Sequence, residues 1–174
     1  MKNRIGIIVI IIIGFIVTRS IDAPKEPVLT KVAPIEELYT VTQIIDGDTI
    51  TVSKNGTEEK VRLLGIDTPE VDASRGPVEC FGKEASEKTT SLLAGQAVTL
   101  ETDPTQTVRD KYERLLAYVY TSDGTFINKI LVDGGFAREY TYDNPYTYQA
   151  DFKASEKIAR TKERGLWSAA NCPN

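Results

Sequence analysis

The chain has 174 residues, with 21 lysines and arginines, 25 aspartates and glutamates and no histidine, so its formal net charge is −4. The missing histidine excludes Ser-His-Asp hydrolysis, Cys-His proteolysis and histidine-based zinc chemistry, and it leaves carboxylates, cations, phenols and hydroxyls, which suit hard cations and phosphate chemistry. Because the net charge is acidic, any affinity for nucleic acid must come from a local cluster of cations.

The N-terminus carries an uninterrupted apolar run from Ile5 to Val17 between flanking cations. This run fits a signal-peptide core and falls short of the roughly 20 residues that span a bilayer. Residues 1–19 are therefore predicted to be a signal peptide or a membrane anchor, with a weak cleavage candidate ending at Ala23. We expect an exported protein, either secreted or anchored at the outer face of the cell membrane, that contacts the membrane only through this segment.

Residues 20–38 contain three prolines and no clear period, which predicts an extended linker.

Residues 39–174 read as one domain. The segments LYTVTQII, TITVSKNG and EEKVRLLGI predict three strands, with an Asn55-Gly56 turn between the last two. FGKEASEKTTSLLAG predicts a helix, AVTLETD and RLLAYVYTSDG predict strands, TFINKILVDGG predicts a short helix, and YQADFKASEKIARTKERGLWS predicts a longer helix that ends at Gly165. This order indicates an α+β fold, a small closed or nearly closed antiparallel five-stranded barrel with about three helices at its side.

Cys80 and Cys172 are the two cysteines of the chain. An isolated pair in an exported protein usually forms a disulfide, and two free thiols are the alternative. A disulfide would tie the C-terminal tail to the middle of the domain and, by the chain-entropy model, would stabilise the fold by on the order of 4–5 kcal/mol. It would act as a structural link rather than as a catalyst.

The stretch IIDGDTI joins the first two predicted strands. Asp46-Gly47 taken alone is typical of a hairpin turn. Asp48 differs, because it stands at the foot of the second strand, where a carboxylate can be held rigidly enough to bind a divalent cation.

The stretch VRLLGIDTPE offers a second group of polar side chains. Side chains alternate along a strand, so Arg62 points to the face opposite Val61 and Leu63 and is positioned by the strand itself. Asp67, Thr68 and Glu70 follow where the strand ends. A Thr-Pro turn that begins an irregular segment is the simpler interpretation of this stretch taken alone.

The stretch RDKYERLLAYVY places Arg114 at the start of a strand, after Lys111 and Tyr112. An arginine beside a strand is usually a solvated cap. However, the three stretches together supply carboxylates for a hard cation, a carboxylate to act on water, and two forked cations for a phosphate. That coincidence favours an active site.

These stretches occur in order with GKEAS, LVDGGFA, REYTY and GLWS between about Tyr39 and Ser168. In this the chain resembles the staphylococcal nuclease (thermonuclease) family. The resemblance implies an OB-fold barrel with helices and Ca²⁺-dependent hydrolysis of DNA and RNA that leaves 3′-phosphate and 5′-hydroxyl ends. We also expect a monomer. Carried over by position, the implied groups are the calcium carboxylates Asp48 and Asp67, the carbonyl of Thr68, the general base or water-orienting Glu70, the phosphate-binding Arg62 and Arg114, and the nucleotide-lining Lys111, Tyr112, Tyr140 and Tyr142.

Glu113 departs from the family pattern, which commonly has glycine between the tyrosine and the arginine. We expect its side chain to face solvent, because neighbouring side chains in extended chain point to opposite sides.

Two other functions stay open. A catalytically silent OB-type module that binds nucleic acid would not need all of the matched carboxylates and arginines. Glycoside hydrolysis by Glu70 and Asp67 would leave both arginines without a role.

Overall fold

The computed structural model describes residues 37–71 and 77–173. The predicted leader, residues 1–19, and the predicted linker up to residue 36 lie outside these ranges. Within them, no helix is both long enough and apolar enough to cross a membrane.

The described residues form seven strands, three α-helices and a short 3₁₀ helix. The strands are β1 (Tyr39–Ile44), β2 (Thr49–Lys54), β3 (Thr57–Leu63), β4 (Ile66–Asp67), β5 (Ala97–Glu101), β6 (Leu115–Thr121) and β7 (Arg138–Glu139). The helices are α1 (Gly82–Leu93), α2 (Ile127–Asp133) and α3 (Gln149–Thr161), and the 3₁₀ helix is Gly165–Trp167.

Five of these strands close into a barrel in the order β1-β2-β3-β6-β5. The predicted α+β barrel with three helices is therefore confirmed. The β1–β2, β2–β3, β5–β6 and β1–β5 pairs are antiparallel as expected, whereas β3 and β6 run parallel, with Arg62 opposite Leu116. A parallel pair needs a long crossover connection, and here the chain passes through α1 and β5 between the two strands. The barrel is therefore mixed rather than wholly antiparallel.

The barrel interior is apolar, and this fixes the direction of the side chains in β3. Val61 and Leu63 are fully buried, and they pack with core residues that include Ile50, Val52, Val98 and Val119. The side chain of Arg62, between the two buried residues, points away from this core and is 14% exposed. The predicted alternation along the strand is confirmed, and the arginine is delivered to one end of the barrel.

Two features of the fold differ from the sequence-based expectations. Helix α3 ends at Thr161 rather than at Gly165, because Glu163 adopts a left-handed backbone with φ of 49°. The two-residue strands β4 and β7, which were not predicted, pair Asp67 with Arg138. This short pairing holds the chain beyond β3 against the helical part of the domain.

Cys80 and Cys172 form a disulfide, with their Cα atoms 5.8 Å apart. The predicted link between the C-terminal tail and the middle of the domain is confirmed.

Candidate active site

The three polar stretches meet at one end of the barrel, around a cavity of about 600 Å³. Its lining comprises Asp46, Asp48, Arg62, Asp67, Thr68, Pro69, Glu70, Tyr112 and Arg114. A larger groove of about 900 Å³ beside β1, β5 and β6 is lined, among the described residues, by Glu37, Glu101 and Asp123 but by no lysine or arginine. The smaller cavity is thus the better site for a phosphate, because it combines carboxylates with two guanidinium groups.

Asp48 is buried at the start of β2 and is held by several hydrogen bonds. Its Oδ2 accepts from the backbone N of Thr68 at 2.7 Å and from the Thr68 hydroxyl at 3.1 Å. Its Oδ1 accepts from the Thr49 hydroxyl at 3.1 Å and lies 3.1 Å from Nε of Arg62. Burial raises the pKa of Asp48 to about 6, although the positive charge of Arg62 opposes the shift. The carboxylate is therefore rigid and poorly solvated.

All three nitrogens of the Arg62 guanidinium group contact neighbouring oxygen atoms. Nη1 donates to the carbonyl oxygens of Ile66 at 2.7 Å and Leu63 at 3.1 Å, and Nη2 donates to Oδ1 of Asp67 at 3.0 Å. Together with the contact to Asp48, these bonds link Arg62 to both carboxylates that the resemblance assigns to calcium. The guanidinium group is therefore oriented before any ligand arrives.

Asp67, Thr68 and Glu70 follow the turn after β3. Burial raises the pKa of Asp67, and the charge of Arg62 opposes this. Thr68 packs closely on Gly47. A Cβ at Gly47 would lie only 2.7 Å from the threonine Oγ1. Oε1 of Glu70 accepts from the backbone N of Val71 at 2.9 Å. The turn before β2 and the turn after β3 therefore form one compact unit.

Arg114 enters the cavity from the loop that precedes β6. Its Nε donates to Oδ2 of Asp110 at 2.7 Å, and its Nη1 donates to the Thr49 hydroxyl at 3.3 Å. Oδ1 of Asp110 also accepts from the backbone N of Tyr112 at 2.9 Å and of Arg114 at 3.0 Å. Burial alone would raise the pKa of Asp110, but these hydrogen bonds lower it. Asp110 therefore shapes the loop and orients the arginine.

Comparison with known proteins identifies the family. The family model of staphylococcal nuclease homologues matches residues 60–169. Thermonuclease of Staphylococcus hyicus is 37% identical over 163 residues, which cover 91% of this chain and 95% of that protein. The chain belongs to the staphylococcal nuclease family. Thermonuclease of Staphylococcus intermedius is 41% identical over 131 residues, 75% of this chain and 76% of that protein. SPbeta prophage-derived endonuclease YokF of Bacillus subtilis (strain 168) is 40% identical over 136 residues, 76% of this chain and 45% of that protein.

Of the side chains expected to line a nucleotide, Tyr112 lines the cavity. Tyr112 is 67% exposed, and Nζ of Lys111 stands 5.0 Å from its ring centroid. Tyr140 and Tyr142 are exposed, with ring centroids 6.3 Å apart. Interactions with Tyr112, and less strongly with Tyr142 and Tyr140, raise the pKa of Lys111. Lys111 and Tyr112 therefore form one contact pair, Tyr140 and Tyr142 form a second, and electrostatic interactions link the two pairs.

Two residues of the cavity region, Asp46 and Asp110, were not predicted from the sequence to belong to the site. Asp46, interpreted as part of a hairpin turn, is only 6% exposed, lines the cavity, and accepts a hydrogen bond from the backbone N of Asp48 at 3.1 Å. The Asp-Gly-Asp spacing could have indicated this bond, because aspartate side chains often accept from the backbone two residues on. Asp110 gave only the weaker signal of an acid four residues before Arg114.

Replacement of Asp110 by asparagine should lower kcat about tenfold, because the weaker acceptor no longer holds Nε of Arg114 in place. The measurement is kcat on single-stranded DNA, with Asp151→Asn on the exposed side of α3 as the matched control. Equal kcat values for the two variants would contradict the positioning role of Asp110.

Glu113 is exposed, as expected, but the predicted reason was wrong, because its backbone is left-handed, with φ of 63°, rather than extended. This conformation costs an L-residue about 1–2 kcal/mol, a cost that the glycine expected here from the family resemblance would avoid.

Replacement of Glu113 by glycine should therefore raise the free energy of unfolding by about 0.5–1 kcal/mol and change kcat/KM by less than about tenfold. Denaturant unfolding and steady-state kinetics would measure both effects. Glu163→Gly, at the other left-handed glutamate and outside the cavity, is the matched control and should give a similar gain. A larger rise in kcat/KM for Glu113→Gly would mean that Glu113 depresses activity.

Proposed function

We propose that this protein is an exported, Ca²⁺-dependent nuclease that hydrolyses DNA and RNA to 3′-phosphate and 5′-hydroxyl products. The observation that carries the proposal is the convergence of carboxylates and two fixed arginines in one cavity. Family membership and the nuclease names of the relatives support phosphodiester hydrolysis. The Cys80–Cys172 disulfide supports export, because disulfides persist mainly in oxidising compartments.

The residues of the cavity fit a calcium ion. Four carboxylates face two guanidinium groups, and the excess negative charge favours a cation. Within residues 37–71 and 77–173, no three acidic or cysteine side chains stand close enough to hold a metal by themselves. A site here would need further oxygen ligands. Asp48 and Asp67 with the carbonyl of Thr68, the groups that the family resemblance implies, would hold the ion, and water and phosphate oxygens would complete the six to eight ligands that calcium takes. The bound ion would polarise the phosphate and help to position water.

The two arginines would stabilise the negative charge that builds on the phosphate. Each guanidinium group offers planar, paired donors that match phosphate oxygens, which an ammonium group supplies poorly. Arg62 and Arg114 approach from different elements, β3 and the loop before β6, and each is oriented by carboxylates. Because these donors are fixed before substrate binds, they lose little free energy to reorganisation during the reaction.

Glu70 would orient the attacking water and accept its proton. A carboxylate near a cation is a weak base, so charge stabilisation by the arginines should contribute more than proton transfer. Lys111 would contact the substrate backbone, and Tyr112, Tyr140 and Tyr142 would stack on bases. Stacking tolerates every base, which suits a nuclease without sequence preference.

Cleavage assays test the proposal against the binding-module alternative. Protein beginning near Pro24, which omits the predicted leader, should degrade both single-stranded DNA and RNA in millimolar Ca²⁺. Hydrolysis should be faster at alkaline than at neutral pH, and the products should carry 5′-hydroxyl ends. Protein that retains nucleic acid in a gel but never cleaves it would establish a binding module instead.

A further inference from the structure

The segment Glu79–Gly82 touches the backbone of the proposed water-orienting residue. The backbone N of Glu79 donates to the carbonyl oxygen of Glu70 at 2.9 Å. A Cβ at Gly82 would lie 2.8 Å from the same carbonyl oxygen and 2.9 Å from that of Pro69, so the two chain segments are in close contact. The position of Glu70 therefore depends on where this segment lies.

The same segment is tied to the C-terminal part of the domain. Cys80 forms the disulfide with Cys172, and the ring of Phe81 lies 5.6 Å from that of Phe136. The tail that carries Cys172 follows the 3₁₀ helix, which is itself anchored, because the backbone N of Leu166 donates to the carbonyl of Gly135 at 2.9 Å. The disulfide thus joins an anchored tail to the segment that supports Glu70.

Asp48 and Arg62 have a separate support. Their hydrogen bonds run to Thr49, to the turn after β3 and to each other, all at the end of the barrel.

Asp67 is held by Arg62 as well. Its link to the segment is indirect, through the paired Arg138, whose Nη1 lies 3.4 Å from Oε2 of Glu79 in an exposed and therefore weak ion pair. Loss of the disulfide would therefore loosen the segment against Glu70 and leave the barrel contacts in place.

We propose that the Cys80–Cys172 disulfide is a positioning element for Glu70, and that its reduction lowers turnover while the protein stays folded and keeps its affinity for Ca²⁺. The inference rests on the proposed function, since it takes Glu70 to act on the attacking water. Cys80 is exposed and within reach of a dithiol reductant. The protein disulfide takes up two electrons and two protons to give two thiols, and the dithiol is oxidised to its own disulfide. Full activity would then require an oxidising compartment.

The test compares kcat, KM and calcium affinity before and after treatment of wild type with dithiothreitol, with circular dichroism to monitor the fold. Reduction should lower kcat about tenfold, the scale expected for a small displacement of a catalytic group, and should change KM and calcium affinity less than about twofold. The double variant Cys80→Ser, Cys172→Ser should match reduced wild type and should not respond to dithiothreitol. Reduced wild type that unfolds even at saturating substrate and Ca²⁺, which stabilise the folded state, would overturn the inference.

Repeating the treatment in the Glu70→Gln background separates positioning from general loosening. If the disulfide acts through Glu70, reduction should cause no further loss of kcat in that background. An equal fold-loss in both backgrounds, or unchanged kcat in reduced wild type, would overturn the inference. Oxidised wild type that does not cleave at all would overturn the proposed function itself and, with it, this inference.

Discussion

Replacement of Arg62 by lysine is expected to lower kcat by a factor on the order of 10²–10⁴, the range for loss of one preorganised transition-state donor or general catalyst. Lysine keeps the positive charge but loses the planar fork. A single ammonium group cannot reproduce the bonds that the guanidinium group makes to Asp48, Asp67 and the carbonyls of the turn. The transition-state phosphate would therefore lose a donor that these bonds hold in place.

The fold should survive this replacement, because Arg62 points away from the buried Val61 and Leu63. The measurement is kcat at saturating Ca²⁺ and substrate, together with circular dichroism on the same sample. Arg160→Lys on α3, where the arginine pairs with Glu156, is the matched control and should retain wild-type kcat. An Arg62→Lys protein that cleaves as fast as wild type would place the activity at another site or in a contaminant.

Replacement of Gly65 by alanine should lower the free energy of unfolding by about 3–4 kcal/mol, since a left-handed backbone and overpacking each cost an L-residue on the order of 1–3 kcal/mol. Gly65 has φ of 78°, and a Cβ there would lie 2.6 Å from the ring of Tyr146. The ring cannot easily retreat, because Tyr146 is buried and its hydroxyl donates to the carbonyl of Gly65 at 3.0 Å. The turn that brings Arg62 to Asp67 would have to shift.

Gly56→Ala is the matched control for this prediction. Gly56 has φ of 82°, but nothing lies within 4 Å of its would-be Cβ, so only the backbone cost of about 1 kcal/mol should remain. Denaturant unfolding of both variants gives the comparison. Equal destabilisation by the two replacements would show that the contact with Tyr146 contributes nothing.

Local patterns were sufficient for much of the barrel and for the placement of the strand-borne arginine. Period-2 alternation placed Arg62 correctly, because Val61 and Leu63 must face the core. The disulfide was predictable from composition, since the chain has only two cysteines. The parallel pairing of β3 with β6 was not, because it joins strands that are far apart in sequence.

Other features depend on contacts that no local pattern contains. The role of Asp110 arises from one side chain that bonds two backbone donors and Arg114 together. The pairing of β4 with β7 involves two residues on each side, too few to give a periodic signal. The early end of α3 follows from a left-handed glutamate, which sequence rules do not anticipate, since they expect glycine there.

The most direct test of the proposed calcium site is the rate of single-stranded DNA hydrolysis as a function of free Ca²⁺, measured for wild type and Asp48→Asn. Wild type should give a saturating curve that falls to background in excess chelator. The variant should stay slower by on the order of 10² at the Ca²⁺ concentrations that saturate wild type, because the buried carboxylate that would hold the ion is gone. Hydrolysis by wild type that persists in excess chelator, or an Asp48→Asn curve that overlays that of wild type, would contradict a calcium-dependent site in this cavity.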